Sequence, residues 1–114
     1  MGDICQLKMK SLEEIDEDFT GKTTNKVKLG DLVKLTFREG LIVEYDFISK
    51  SATVINPSYK SQVPQLNLEA TFEGFSENGD IDSVLKFAFN FMGDKYILSM
   101  RSSHIKDYRI IRRH

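Results

Sequence analysis

Cysteine is almost absent from this chain: Cys5 stands alone among 114 residues. A single thiol closes no internal disulfide, so a disulfide framework is excluded and a reducing compartment is compatible. Histidine is nearly as scarce, with His104 and His114 only. Two histidines and one cysteine do not fill a zinc site without carboxylates. They also leave a nucleophile–base–orienter set short of members, and no G-x-S-x-G stretch seats a serine. The seven glycines are scattered, mostly at turn positions, so no phosphate-cradling loop is present. Charge of one sign is lacking too. A net charge of −1 gives no bulk attraction to nucleic acid or membrane. No run approaches the ~20 apolar residues of a membrane helix. The opening MGDICQLKMK lacks the apolar core and cleavage pattern of a signal peptide, and Gln6 breaks the myristoylation pattern. These absences set the expectation of a cytoplasmic protein that does no catalysis, holds no metal or other cofactor and meets no membrane.

What the chain does have is alternation. Leu66, Leu68, Ala70 and Phe72 alternate with Asn67, Glu69, Thr71 and Glu73. Leu85, Phe87, Phe89 and Phe91 are spaced by two, as are Tyr96, Leu98 and Met100. Successive strand side chains point to opposite faces, so each run lays one apolar row on one face. Three such rows joined by short glycine-containing turns form an antiparallel meander. Residues 81–92 also fit helical spacing through Ile81, Val84, Leu85, Ala88 and Met92. A helix would scatter Phe87, Phe89 and Phe91 around its circumference, whereas a strand gathers them, so strand is preferred.

The other elements follow by the same logic. Residues 4–9 suit a short strand. Ser11 and Glu14 have capping-box spacing, acids crowd the first turn, and Leu12, Ile15 and Phe19 share a side, which predicts a helix ending near Gly21. A polar stretch, 22–30, bridges into the sheet. Val33, Leu35 and Phe37 mark a strand over 31–37, and Arg38-Glu39-Gly40 is a tight turn. Leu41, Val43, Tyr45 and Phe47 form the next row, opposed to Ile42, Glu44, Asp46 and Ile48. Ser49-Lys50-Ser51 turns the chain into a short strand, 52–55. Asn56-Pro57-Ser58 turns it again, 59–63 suits an edge segment, and Pro64 marks an edge or a strand start. SSHIKD, residues 102–107, reads as a polar loop before a last strand over 108–113.

With 40% hydrophobic and 29% charged residues, the chain is globular rather than disordered. Its length suits one all-β domain, residues 1–114, able to bury a core without staples. Seven or eight closely spaced strands predict a single antiparallel meander closing into a small barrel or a sandwich, with a short N-terminal helix. Closure would remove the edges that such hydrophobic strands need protected. In its order of elements, a short helix ahead of an up-and-down meander, the chain resembles the calycin-type (lipocalin-like) barrels. The resemblance rests on no shared motif, implies a barrel and gives no residue a role.

The leading functional expectation is a non-catalytic interaction module acting through a protein interface, with a protein partner or a second copy of the chain. A second reading is a hollow barrel holding a small apolar molecule among Phe37, Tyr45, Phe47, Phe72, Phe87 and Phe89. Eight phenylalanines make a filled core the simpler account. A third is weak nucleic-acid binding at the basic C-terminal end, through Arg101, His104, Arg109, Arg112 and Arg113. Tyr108 sits among these cations, and aromatic–arginine groupings stack bases and bind phosphates. Strand alternation puts Arg109 and Arg113 on one face and Arg112 on the other. The acidic run Glu13 to Asp18 offers those cations an internal partner. Glu44 and Asp46 share a face as a carboxylate pair, most simply a solvent face. Asn78-Gly79-Asp80-Ile81-Asp82 echoes a calcium loop but lacks its closing glutamate, and Asn78-Gly79 reads better as a hairpin turn.

Overall fold

A computed structural model of the chain describes residues 11–21, 26–56, 64–76 and 83–113. The expected strand over 4–9, the edge segment over 59–63, Pro57 and Ser58 of one turn, and the Asn78-Gly79 turn lie outside those residues.

Helix α1 (Leu12–Thr20) begins where the capping box places it. Ser11 Oγ accepts from the Glu14 amide at 3.2 Å, and Glu14 Oε1 accepts from the Ser11 amide at 3.0 Å. Two orphan donors are thereby satisfied reciprocally. Gly21 ends the helix at φ 69°, a left-handed conformation, and its amide donates to Glu17 O. Ile15 and Phe19 are buried and Leu12 is half-buried, as their spacing requires. Ser11→Ala should destabilise the protein by about 1 kcal/mol, while Ser11→Asp, another good cap, should be nearly neutral. Denaturant midpoints of the two variants check this.

Among the described residues seven strands follow: β1 (Leu32–Phe37), β2 (Ile42–Asp46), β3 (Ser51–Ile55), β4 (Asn67–Ser76), β5 (Val84–Phe91), β6 (Asp94–Arg101) and β7 (Ile105–Arg112). They form one sheet in the order β2-β3-β6-β5-β4-β1-β7. The middle is the antiparallel meander that the alternation predicts. Phe87 faces Phe72 on one side and Leu98 on the other, and Phe89 faces Tyr96. The strand reading of the contested stretch holds for Val84–Phe91.

Four expectations are corrected. Among the described residues the sheet is not closed: β2 and β7 lie at opposite edges of one sheet, so the barrel and the two-sheet sandwich are unsupported, and the closure implied by the calycin resemblance does not carry over. Helix α1 supplies the cover that closure would have given. The Phe19 ring lies 5.2 Å from Phe72, 5.7 Å from Phe87 and 5.0 Å from Tyr108. The sheet is also mixed, because β3 runs parallel to β6, pairing Ser51 with Ile97 and Thr53 with Ser99. A hairpin has one strand in each direction, and the strand that docks sets the sense of pairing; here β3 docks. The tight turn at Arg38-Glu39-Gly40 is present, but the strands on either side of it are not neighbours as a single meander requires, since β1 pairs with β4 and β7 while β2 lies at the far edge. Lastly, the chain after Arg101 loops only through a 3₁₀ turn, Ser102–His104. Strand β7 starts at the buried Ile105 rather than at Tyr108.

The core lies on the inner face, between the sheet and α1. Val33, Leu35, Phe37, Phe72, Leu85, Phe87, Leu98 and Met100 contribute to it from four strands. Among the described residues no helix is long and apolar enough to cross a membrane.

Candidate functional site: an aromatic tip beside an open edge

Two turns meet at one end of the sheet. The first joins β2 to β3. Asp46 Oδ1 accepts from the amides of Ile48 (2.9 Å) and Ser49 (3.1 Å), which folds the chain back at once. Those donors, Ser49 foremost, hold its carboxyl below the usual carboxylate range. Lys50 completes the turn at φ 59°. With the backbone so fixed, Phe47 and Ile48 are thrown outward, 59% and 96% exposed. The second turn joins β5 to β6 through Met92 and Gly93, at φ 51° and 86°. Positive φ at both central residues matches the tight hairpin turn that favours Asn-Gly. Here methionine takes the asparagine position and is 82% exposed.

The turns are tied together. Lys50 Nζ meets Asp94 Oδ2 at 3.0 Å and lies 5.8 Å from the centre of the Tyr96 ring. The hydrogen bond to Asp94 holds that ammonium above its ordinary value. The Ile97 amide donates to Lys50 O at 3.1 Å.

Rings run from the core to this tip. Tyr45 and Phe91 stack at 4.1 Å with planes 10° apart. Phe47 lies nearly parallel to both, 6.3 Å and 6.5 Å away. Beneath them the buried Tyr96 stands almost perpendicular to all three. Burial, and then the neighbouring Tyr96 phenol, push the Tyr45 phenol above its ordinary range, so it stays neutral near pH 7.

Strand β2 borders the tip. Among the described residues it pairs with β3 alone. Val43 and Tyr45 take the inner face, and Glu44 and Asp46 take the outer one, opposite Thr53 and Ser51. A shallow open concavity of about 580 Å³ runs along this edge, from Glu44 and Thr53 to Phe47 and Ile48.

The aromatic residues singled out in the sequence therefore divide. Phe37, Phe72, Phe87 and Phe89 are buried in the core. Tyr45 and Phe47 belong to the tip. Ile48, Phe91 and Met92 join them, and the sequence reading had not assigned these three to a site. The sequence places Ile48 on a strand row with its turn at 49–51; β2 ends at Asp46 instead, because the Asp46 carboxylate folds the chain back, and this leaves Ile48 in the turn.

The basic residues are spread out. Arg101 ends β6, and its amide donates to Nδ1 of His104 at 3.3 Å. Arg109 lies across from Lys34, which has Glu69 on its other side. Arg112 lies across from Leu32, and the register shift there makes Ile111 an extra residue. The bulge brings Arg112 onto the face of Arg109, which simple alternation does not foresee. Arg113 Nη1 turns inward, 3.2 Å from Oδ2 of the buried Asp31 and 2.8 Å from Lys26 O. The acidic helix meets hydroxyls and an amide. Asp16 accepts from Ser102 Oγ (2.7 Å) and the Ser83 amide (3.0 Å). Asp18 accepts from the Tyr108 hydroxyl at 2.6 Å. Burial, with this bond and the Asp18 charge behind it, pushes the Tyr108 phenol far up.

Among the described residues no group of three His, Cys, Asp or Glu side chains is placed to hold a metal ion. Fold and tip together define only a class: a mostly β protein built on one open, mixed sheet, with a helix on one face and an apolar tip at one end. No family model matches the chain, and no curated protein or solved structure does.

Proposed function

We propose that the protein is a non-catalytic interaction module that grips another protein with the tip formed by Phe47, Ile48 and Met92. The observation that carries this reading is Met92. A non-glycine residue in the left-handed region costs roughly 1–2 kcal/mol, and asparagine suits this turn far better. Methionine here sacrifices turn stability and presents an adaptable apolar side chain to solvent. Two more large apolar side chains, Phe47 and Ile48, stand exposed on the turn that Lys50 and Asp94 tie to this one, and Phe47 is held by the Tyr45 and Phe91 rings. Ordered aromatic and methionine side chains are what protein interfaces select.

The reading makes stability and binding move in opposite directions. Met92→Asn should stabilise the fold by about 1 kcal/mol, by relieving the turn. It should also weaken partner capture, as should Phe47→Ser. The tagged wild type and both variants would be used to capture partners from the native source, with and without nuclease. The expected outcome is a nuclease-resistant protein partner retained by wild type and lost from both variants. Equal capture by all three would refute the tip, and a nuclease-sensitive partner would favour the basic residues instead.

A further inference from the structure

Resting on this protein-interface reading, we infer that the partner presents an extended segment that adds to β2 as an eighth strand, with basic residues facing Glu44 and Asp46. Between them, its apolar residues face Val43 and Tyr45.

The argument starts from how the two edges differ. Exposed edge strands invite pairing, and native proteins blunt them with bulges, proline, charged side chains or short length. Strand β7 is blunted in this way. It has register shifts at both ends of its pairing with β1 and carries Lys106, Arg109 and Arg112. Strand β2 is short but unbulged, and its only charges are the carboxylates of Glu44 and Asp46, which repel a like edge and admit a basic one. Its register with β3 runs without a shift from Ile42↔Ile55 to Asp46↔Ser51. It contains no proline and no lysine or arginine. Its backbone is thus a regular template among the described elements, and main-chain hydrogen bonding to such an edge is a recurring mode of peptide recognition.

Charge selects the occupant. Glu44 and Asp46 both project from the outer face and are exposed. Lys50, the nearest cation along the chain, is engaged by Asp94. A second copy pairing β2 with β2 would set these carboxylates against each other, and like charges directly opposite are destabilising. Lysine or arginine at alternate positions of an incoming strand meets them with the favourable sign. The concavity beside Glu44, Thr53 and Ile48 gives long basic side chains room to lie. On the inner face, an apolar side chain next to Tyr45 extends the ring cluster toward Phe47.

The probe is an end-blocked, labelled heptapeptide, Lys-Val-Lys-Phe-Lys-Val-Lys, titrated into the full chain by fluorescence anisotropy. Saturable, salt-sensitive binding is expected, together with slower amide hydrogen exchange across Ile42–Asp46. Glu44→Lys should weaken this peptide about tenfold and tighten one with glutamate replacing lysine, since cross-strand charge pairs act at about this scale. A peptide with proline at its centre should fail to bind. Binding that tolerates the proline, ignores Glu44→Lys or leaves β2 exchange unchanged overturns strand addition. So does concentration-dependent self-association of the peptide-free chain that Glu44→Lys abolishes, which would make the occupant a second copy. If the lysine peptide does not bind while Met92→Asn still abolishes capture, the strand inference falls and the interface reading stands. If Met92→Asn has no effect on capture either, both fall.

Discussion

Phe87→Ala is expected to lower stability by about 3–5 kcal/mol, the range for deleting a fully buried phenylalanine. Strand β5 is the middle strand of the seven. Phe87 is wholly inaccessible on it, with the Phe72 ring 5.5 Å away and the Phe19 ring 5.7 Å away. Neighbours on two strands and the helix hold the site open, so the cavity cannot collapse cheaply. Phe89→Ala should fall at the low end, about 3 kcal/mol. Phe89 is 8% exposed and leans on Tyr45, which is itself only half-buried and free to shift. Urea titrations that follow the tyrosine signal measure both. Midpoints unchanged in the two variants would remove Phe87 and Phe89 from the core.

Alternation and capping made much of this fold legible. Val33/Leu35/Phe37, Leu85/Phe87/Phe89 and Tyr96/Leu98/Met100 are rows whose period alone says which side chains share a face. Ser11, Glu14 and Gly21 state both ends of α1 in local chemistry. What the period does not carry is which strands are neighbours. Leu35 faces the core whether its strand pairs with β2, as the short Arg38–Gly40 turn suggests, or with β4 and β7, as it does. The parallel pairing of β3 with β6 is equally silent, because a one-sided apolar row looks the same in either direction. Ser102 and Ile105 were hidden in a polar-looking stretch. Ser102 is buried because Asp16 accepts its hydroxyl, a contact made across 86 positions of sequence.

The candidate site was legible in part. Tyr45 and Phe47 stood out as aromatic, but periodicity cannot separate a ring that fills a core from one that lines a surface. The division follows from the turn at Asp46, which ends β2 before Phe47 and releases it from the sheet. Likewise Arg112 changes face only because of the bulge at Ile111. Bulges depend on the partner strand and leave no local mark.

Phe19→Ala should cost as much as Phe87→Ala, about 3–5 kcal/mol, and for a reason that reaches the architecture. An open sheet with an apolar inner face requires a cover. Among the described elements, α1 is the helix that lies on this one, and Phe19 is its largest buried side chain. Its ring makes edge-on or tilted contacts with Phe72, Phe87 and Tyr108, from β4, β5 and β7. Such aromatic pairs are worth roughly 0.5–1.5 kcal/mol each beyond the area they bury. Nine residues are too few for a helix to persist without packing, so weakening this anchor loosens the helix as a unit. Asp16 and Asp18 would then tend to release Ser102 and Tyr108. The double variant with Phe87→Ala should lose less than the sum of the single losses, because the two rings share one contact and one cavity. Denaturant titration of the four proteins gives this coupling directly. Full additivity would mean that Phe19 and Phe87 do not pack together and that α1 does not cover the sheet at β5.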